Sequence, residues 1–157
     1  MVYHINIGSN QGDSGAIIAD AVSLIALISD TPVRLSRTVE SDPWGFESRN
    51  RFLNVGVEIT SGLSPEELLG RLQDIERELG ATPHRTPDGG YCDRNLDIDL
   101  ICCISKDVVI DTPELTLPHP RMSGRRFVME PLAELSPEWV HPHTGLTSEQ
   151  TLQKLKI

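Results

Sequence analysis

"FLNVGVEIT", residues 52–60, alternates with a period of two, as a β-strand does when one of its faces is buried. The aliphatic side chains share one face: Leu53, Val55, Val57 and Ile59. The opposite face is mixed in character: Phe52, Asn54, Gly56 and Glu58. The stretch therefore predicts a strand with one face on a hydrophobic core and the other free for polar contacts.

A helix is predicted directly after this strand. Ser64 is an N-cap, Pro65 occupies the first helical position and Glu67 completes a capping box. An apolar stripe with helical spacing follows: Leu68, Leu69, Leu72, Ile75 and Leu79. The helix ends at Gly80, and after a long loop a further strand is predicted at about residues 95–104.

The N-terminal part of the chain has the same order of elements. We predict a strand at 2–7, a helix at 13–28 and a strand at 33–40. Strand–helix–strand twice in succession predicts an α+β fold, a ferredoxin-like sandwich with a mainly antiparallel sheet and packed helices. A third helix at about 125–134 and a short last helix capped by Thr147 complete the prediction.

Length and charge limit the kind of protein. The 157 residues correspond to about one domain, so residues 1–157 are expected to form a single domain. The net charge of −9 disfavours general nucleic-acid binding, which relies on basic surface. No apolar run approaches the roughly 20 residues of a membrane span, and the N-terminus lacks the pattern of a secretion signal. We therefore expect a cytoplasmic protein with neither a nucleic-acid nor a membrane partner.

Neither the cysteines nor the familiar nucleotide-binding motifs identify a functional site in this sequence. Cys92, Cys102 and Cys103 have the spacing of neither a zinc site nor a disulfide framework, and the adjacent pair is expected to point to opposite faces of a strand. Neither the P-loop motif nor G-x-G-x-x-G occurs, so any nucleotide must be held in another way.

"RNLDIDL", residues 94–100, places two carboxylates on one face of the strand at 95–104. Asp97 and Asp99 are two apart, so their side chains project together, about 6.5–7 Å from each other. Mg²⁺ removes the repulsion between such carboxylates and also binds phosphate oxygen, and two-metal sites hold ions about 3.5–4 Å apart. A solvated strand face without metal explains the spacing nearly as well. Arg94 is expected at the strand entrance, near the edge of the site.

Cations and aromatic rings suggest what such a site would bind. His119, Arg121 and Arg125 lie beside the start of a helix and suit phosphate oxygens, although scattered surface arginines are an equally simple explanation. Phe52 and Asn54 share a strand face where a ring can stack on a flat heterocycle and an amide can bind its edge. An ordinary core phenylalanine with a structural asparagine is the alternative.

Six motifs occur in the order expected for one enzyme family: "IGSNQGD", "FLNVGVEI", "LLGRLQDIERELG", "RNLDIDL", "LTLPHPRM" and "RRFVMEPLAEL". The chain resembles the 6-hydroxymethyl-7,8-dihydropterin pyrophosphokinases of folate biosynthesis over nearly its whole length. The resemblance implies a ferredoxin-like fold, ATP as co-substrate, two Mg²⁺ ions and a pterin substrate. It also implies transfer of pyrophosphate from ATP to the pterin hydroxymethyl group with release of AMP, by an enzyme expected to be a monomer.

The resemblance also implies roles for particular residues. Those implied for catalysis are Arg94, Asp97, Asp99, His119 and Arg125, with Asp97 and Asp99 as the metal ligands. Those implied for ATP binding are Gln73, Glu76, Leu100, Leu115 and Thr116. Those implied for the pterin pocket are Ser41, Asp42, Trp44, Phe52, Asn54 and Phe127.

The long loop at 81–93 departs from the family pattern. The family commonly has arginines soon after the second helix and a tryptophan before the D-x-D motif, whereas this chain has Arg85 and Tyr91. Two other functions stay open on the residues alone. One is a ferredoxin-like regulatory module that binds a small ligand, and the other is a different two-metal phosphotransferase.

Overall fold

The computed structural model describes residues 1–10, 14–41, 52–80 and 96–156. Its strands are β1 (Val2–Ser9), β2 (Arg34–Leu35), β3 (Val39–Ser41), β4 (Phe52–Thr60), β5 (Leu96–Cys103), β6 (Ile110–Asp111) and β7 (Thr116–Leu117). Its α-helices are α1 (Ser14–Ala26), α2 (Pro65–Gly80), α3 (Arg126–Leu135) and α4 (Ser148–Leu155), and a 3-10 turn spans Met122–Gly124. The predicted α+β arrangement is confirmed.

The main sheet is antiparallel and has the order β2-β4-β1-β5, with β3 also pairing with β4. β1 is therefore flanked by the two strands that carry the motifs at 52–60 and 94–100. β6 and β7 form a separate two-stranded ribbon. The sequence pattern did not predict β7, because its residues lie in a segment rich in proline.

Two packed layers cover the sheet. One sheet face meets α1 and α2 around a core that includes Ile5, Val57 and Leu72, each fully buried. The other face meets α3 around a second cluster that includes Met129 and Leu132. Burial of the aliphatic face of β4 confirms the alternation predicted for residues 52–60.

The helix caps agree with the sequence. Ser64 Oγ accepts from the backbone N–H of Glu67, and Glu67 Oε1 accepts from the N–H of Ser64, both at 3.2 Å. Thr147 caps α4 with the equivalent reciprocal pair to Gln150. These bonds satisfy helix N-terminal donors that have no partner inside the helix, which is why both helices begin where predicted.

The strand predicted at 33–40 is wrong as one continuous element. It forms two short strands, β2 and β3, whose pairing with β4 differs in register by one residue. Between them Ser36 donates its N–H to the carbonyl of Gly56 at 2.9 Å, and its hydroxyl accepts from the Gly56 N–H at 2.8 Å. A side-chain hydroxyl thus replaces a backbone carbonyl in the ladder, so the strand is interrupted there.

β5 contains an irregularity that divides its side chains between the two cores. The register against β1 shifts between His4 and Ile5. Leu100 packs in the first core and Cys102 in the second, while Cys103 returns to the first. The adjacent cysteines are both free and lie on opposite faces, as predicted, and burial raises the pKa of the Cys102 thiol well above its usual value.

Gly56 allows α3 to approach the sheet closely. A Cβ at this position would lie 2.7 Å from His4 Cε1 and 2.7 Å from Pro131 Cβ. Neither neighbour is the end of a flexible side chain, so Gly56→Ala must displace packed atoms. We expect this substitution to lower the free energy of unfolding by about 1–3 kcal/mol, measured by urea denaturation.

Gly70→Ala is the matched control for this prediction. Gly70 lies inside α2, and a Cβ there would meet nothing within 4 Å. Alanine is favoured over glycine in a helix interior, so this variant should be about 0.5–1 kcal/mol more stable than the wild-type protein. Equal effects of the two substitutions would contradict the close contact at Gly56.

None of the helices in the described ranges is both long and apolar enough to span a lipid bilayer.

Candidate active site

Asp97 and Asp99 lie on the face of β5 opposite its buried aliphatic residues. In the antiparallel pairing with β1, Asp97 stands opposite Gly8 and Asp99 opposite Asn6. Asp97 is exposed and Asp99 is half-buried. Desolvation raises the pKa of both carboxyls, the charge of Asp99 raises that of Asp97 further, and Arg125 opposes both rises. The two carboxylates therefore repel each other, and the charge of Arg125 offsets this repulsion in part.

Glu76 brings a third carboxylate to the same edge of the sheet. Its Oε2 accepts from the backbone N–H of Ile98, between the two aspartates, at 3.4 Å. Desolvation raises the pKa of Glu76, and the charges of Asp97 and Asp99 raise it further. The hydrogen bond from the Ile98 N–H acts in the opposite direction and lowers this pKa. Gln73, one turn earlier on α2, is exposed. The helix thus docks Glu76 against β5 and leaves Gln73 at the surface.

A cleft of about 240 Å³ opens beside this edge. Five of the residues singled out from the sequence line it: Asp99, Leu100, Leu115, Thr116 and His119. Glu114 also lines the cleft. The cleft joins β5 to the segment at 113–120, which the backbone N–H of His119 ties to the carbonyl of Ile101 at 2.8 Å. Residues far apart in sequence therefore form one concave surface, in which apolar side chains alternate with polar ones and with the carboxylates of Asp99 and Glu114.

His119 is held in one tautomer. Its Nδ1 accepts from the backbone N–H of Arg121 at 3.2 Å, which leaves the proton on Nε2. Desolvation lowers the pKa of His119, and the charges of Arg125 and Arg121 lower it further. The ring is therefore neutral near pH 7 and offers Nε2–H as a hydrogen-bond donor.

Arg125 connects the parts of the site. Its charge acts on both aspartates and on His119, as their pKa values show. Its Cζ also lies 5.5 Å from the centroid of the Phe127 ring, within the range of a cation–π contact. Arg125 thus lies between the carboxylate edge and the ring of Phe127.

Ser41, Phe52 and Asn54 come together where β3 meets β4. Ser41 stands opposite Phe52, and the Asn54 Nδ2 donates to Ser41 Oγ at 3.0 Å and to the Val39 carbonyl at 3.3 Å. Asn54 is only 3% exposed, so its amide is fixed in orientation. α3 packs against β3 and β4, and Phe127, in the first turn of α3, packs against the second core cluster.

Three residues singled out from the sequence, Arg94, Asp42 and Trp44, lie outside the described residues, as do Arg85 and Tyr91 of the long loop.

The carboxylate edge suits a cation that brings other ligands with it. Among the described residues, no cluster of three or more His, Cys, Asp or Glu side chains has the arrangement of a metal site. Within that same part of the chain, neither Asp97 nor Asp99 has an ion pair or a hydrogen bond from its side chain. Mg²⁺ typically binds through one or two carboxylates plus substrate phosphates, so this pair fits Mg²⁺ that arrives with a nucleotide.

Two residues of β1 belong to this site and were missed from the sequence. Asn6 is 3% exposed, and its Oδ1 has no hydrogen-bond partner among the described residues. A Cβ at Gly8 would lie 2.8 Å from the Asn54 Oδ1. The available signal was that positions 4, 6, 8 and 10 of the first strand and its extension are polar or glycine, while Ile5 and Ile7 are apolar.

Comparison with known proteins identifies the family. The family model for 7,8-dihydro-6-hydroxymethylpterin-pyrophosphokinase (HPPK) matches residues 4–137. The chain belongs to the HPPK family. It is 40% identical over 141 residues to the 2-amino-4-hydroxy-6-hydroxymethyldihydropteridine pyrophosphokinase of Porphyromonas gingivalis, covering 90% of this chain and 94% of the relative. The Bacillus subtilis enzyme of the same name is 37% identical over 150 residues, covering 95% of this chain and 86% of that protein.

Solved structures support the fold. A wild-type Plasmodium falciparum HPPK-DHPS chain, crystallised with SDX-DHP, matches 98% of this chain with a TM-score of 0.69 and 13% sequence identity. This HPPK spans only 44% of that longer chain, so the likeness concerns the fold of one part of it. As a member of its family, this HPPK is a pyrophosphokinase that transfers pyrophosphate from ATP to the hydroxymethyl group of a dihydropterin in folate synthesis.

Proposed function

We propose that the edge formed by Asp97 and Asp99, with the adjoining cleft, is where this HPPK binds ATP and Mg²⁺ and carries out pyrophosphate transfer. One observation supports this most: Asp99, which has no side-chain partner in the described part of the chain, lines the cleft, and Asp97, equally without a partner there, lies two residues away on the same face of β5. A cation bound to phosphate neutralises such an acidic edge, whereas a regulatory module that binds its ligand without Mg²⁺ would leave the two charges unneutralised.

ATP is proposed to place its base in the cleft. Leu100 and Leu115 supply apolar walls, and Thr116 lies on β7 at the same surface. A cleft of about 240 Å³ suits a flat base better than a whole nucleotide, so the triphosphate would extend towards Asp99 and His119. Gln73 and Glu76, on α2, would border the nucleotide from the other side.

Two Mg²⁺ ions are proposed to bind at Asp97 and Asp99. When bound, Mg²⁺ neutralises the phosphate oxygens and aligns the reacting groups. His119 would donate its Nε2–H to a phosphate oxygen, since its Nδ1 is already an acceptor. Arg125, and Arg94 from outside the described residues, would offset the charge that develops on the phosphates.

The pterin is proposed to bind between Phe52 and Phe127, with Asn54 at its edge. The two rings provide stacking surfaces. The Nδ2 of Asn54 already donates to Ser41 and Val39, so its Oδ1 is the atom that would accept a hydrogen bond from the edge of a flat heterocycle. Ser41, Asp42 and Trp44 would complete this pocket. The position of Arg125 beside Phe127 would bring the pterin hydroxyl close to the phosphates.

The proposed reaction is an in-line attack of the pterin hydroxyl on the β-phosphorus of ATP. The bond between the hydroxymethyl oxygen and the β-phosphorus forms, and the bond from the β-phosphorus to the α,β-bridging oxygen breaks. AMP leaves with that oxygen, and the proton of the pterin hydroxyl is released to solvent water. Positioning and charge stabilisation account for such transfers, and none of the described side chains is proposed as a general base.

We also propose that residues 1–157 form one pyrophosphokinase domain that acts as a monomer in the cytoplasm, where its co-substrate ATP is available. The net charge of −9 supports small-molecule substrates rather than nucleic acid as partners.

The products of ATP turnover test this proposal. The protein is incubated with ATP, Mg²⁺ and 6-hydroxymethyl-7,8-dihydropterin, and the nucleotides are then separated. AMP is expected only when the pterin is present, and removal of Mg²⁺ with EDTA should abolish it. Formation of ADP, or turnover that is indifferent to the pterin, would support another phosphotransferase. Ligand binding without Mg²⁺ and without turnover would support a regulatory module.

Gly8→Ala is expected to weaken pterin binding selectively. The new Cβ would lie 2.8 Å from the Asn54 Oδ1 and must displace the amide proposed to bind the pterin. Loss of about one hydrogen bond corresponds to a KM for the pterin roughly tenfold higher. The KM for ATP should change little, because the atoms nearest the new Cβ belong to Asn54 and Leu53, and neither residue lines the cleft.

Steady-state kinetics with each substrate varied in turn measures this effect. Gly15→Ala is the matched control, since a Cβ there would meet nothing within 4 Å. A rise in the KM for ATP equal to that for the pterin would contradict the assignment of Asn54 to the pterin pocket.

A further inference from the structure

The β1 side chain directly beside the carboxylate edge is an asparagine buried without a full set of partners. Asn6 is 3% exposed, and its Oδ1 has no hydrogen-bond partner among the described residues. Buried polar atoms are almost always paired, because desolvation without a hydrogen bond costs free energy. Such an atom at the edge of a binding site indicates that its partner arrives with a ligand.

The register of the sheet defines what Asn6 can reach. Asn6 stands directly opposite Asp99 on β5 and opposite Gly56 on β4. Side chains directly opposite each other in antiparallel strands project to the same face, with Cβ atoms about 4.5–5.5 Å apart. Gly56 has no side chain, so Asp99 is the side chain that stands beside Asn6 in this row of the three central strands.

Asp99 cannot supply the donor that the Asn6 Oδ1 lacks, because an ionised carboxylate only accepts hydrogen bonds. A water bound to a divalent cation is a strong donor, and Mg²⁺ usually keeps several of its waters. A hydrated cation at Asp99 would therefore supply both a charge for the carboxylate and a donor for the amide.

We infer that Asn6 is a positioning residue of the cation site, whose amide oxygen accepts a hydrogen bond from a water carried by the cation at Asp99. The inference rests on the proposed function of Asp97 and Asp99. Outer-shell partners of metal ligands orient the ion and commonly change metal affinity by about 10–100-fold when removed. Asn6 would act in this way without contacting either substrate.

Mn²⁺ affinity is the direct test. Mn²⁺ is titrated into the full chain with saturating α,β-methylene-ATP, and bound ion is measured by electron paramagnetic resonance. Asn6→Leu keeps the branched shape but removes the oxygen, so the dissociation constant for Mn²⁺ should rise about tenfold or more. Asn6→Asp keeps an acceptor at this position and should bind Mn²⁺ at least as tightly as the wild-type protein.

The matched control is His4→Leu, which removes unpartnered buried nitrogens from the same face of the same strand, opposite Cys102 rather than Asp99. It should leave Mn²⁺ affinity unchanged. Asn6→Ala repeats the test with a smaller side chain if leucine disturbs the fold. Binding of the nucleotide analogue in EDTA should be the same for all these variants, since a general disturbance of the site would lower it.

The outcomes separate this inference from the proposed function. If Asp99→Asn weakens Mn²⁺ binding but Asn6→Leu and Asn6→Ala do not, the role of Asn6 is wrong and the cation site stands. If Asp99→Asn also binds Mn²⁺ like the wild-type protein, both the role of Asn6 and the proposed cation site are wrong. Equal weakening by His4→Leu and Asn6→Leu would show a structural effect of the strand and overturn the inference.

Discussion

Asp97→Asn and Asp99→Asn should each lower kcat at least about 100-fold, because groups that stabilise charge in a transition state are commonly worth that much. Asparagine keeps the shape of aspartate but removes the charge that binds Mg²⁺. Since the two carboxyls repel each other and have raised pKa values, each neutral variant should also relieve repulsion in the cation-free protein. Its stability without Mg²⁺ should therefore be equal to or higher than that of the wild-type protein.

AMP formation at saturating ATP and pterin, over a range of Mg²⁺ concentrations, measures this loss. Asp107→Asn is the matched control, because Asp107 is an exposed aspartate that follows the end of the same strand. It should retain wild-type activity. Near-normal kcat in either Asp97→Asn or Asp99→Asn would refute the assignment of the cation site.

Elements determined by local patterns could be predicted from the sequence. The bounds of β4 and the start of α2 agree with prediction because alternation and the Ser64–Glu67 capping box are encoded within a few residues. The cleft-lining residues Leu115 and Thr116 were found in a different way, through the order of whole motifs in the chain. The spacing of Asp97 and Asp99 alone did not decide between a Mg²⁺ site and a solvated strand face.

Features that depend on contacts between distant segments could not be predicted. The break between β2 and β3 depends on Ser36 meeting Gly56, about twenty residues away in the chain, and no local pattern encodes that meeting. The place of Asn6 beside Asp99 depends on strand register, which is set by pairing and not by either sequence alone. The sequence shows a polar residue in a buried strand, but only the sheet identifies its neighbour.

His4 should make the protein less stable in mild acid. The side chain is fully buried, neither ring nitrogen has a hydrogen-bond partner in the described part of the chain, and burial lowers its pKa to about 3. Glu58 stands opposite on β4, but its carboxylate accepts from Arg34 at 2.8 Å and from Ser136 at 3.1 Å. Cys102, opposite on β5, has a raised thiol pKa, so neither neighbour offers a charge that would hold a protonated ring.

The sign of the effect follows from proton linkage. Above the unfolded pKa of about 6.5, His4 is neutral in both the folded and the unfolded state, so its titration does not change the free energy of unfolding. As the pH falls from about 6.5 towards 3, the unfolded chain binds a proton that the folded protein excludes, so stability is lost by about 1.4 kcal/mol per pH unit. Below pH 3 both states carry the proton, and no further loss arises from this residue.

Urea denaturation at pH 7 and pH 5 measures the loss. Between these values the wild-type protein should lose about 2 kcal/mol more free energy of unfolding than His4→Leu, which has no group to titrate at this position. The quantity compared is the change in the free energy of unfolding between pH 7 and pH 5. A packing effect of leucine is the same at both pH values and cancels. The titration of Asp97 and Asp99 is common to both proteins and also cancels. His143→Leu is the control, because His143 is exposed in the folded protein. If the free energy of unfolding changes equally with pH in the wild-type protein and in His4→Leu, the folded protein accommodates a charged ring at His4. The close packing around Gly56 and Pro131 would then have to rearrange when His4 is protonated.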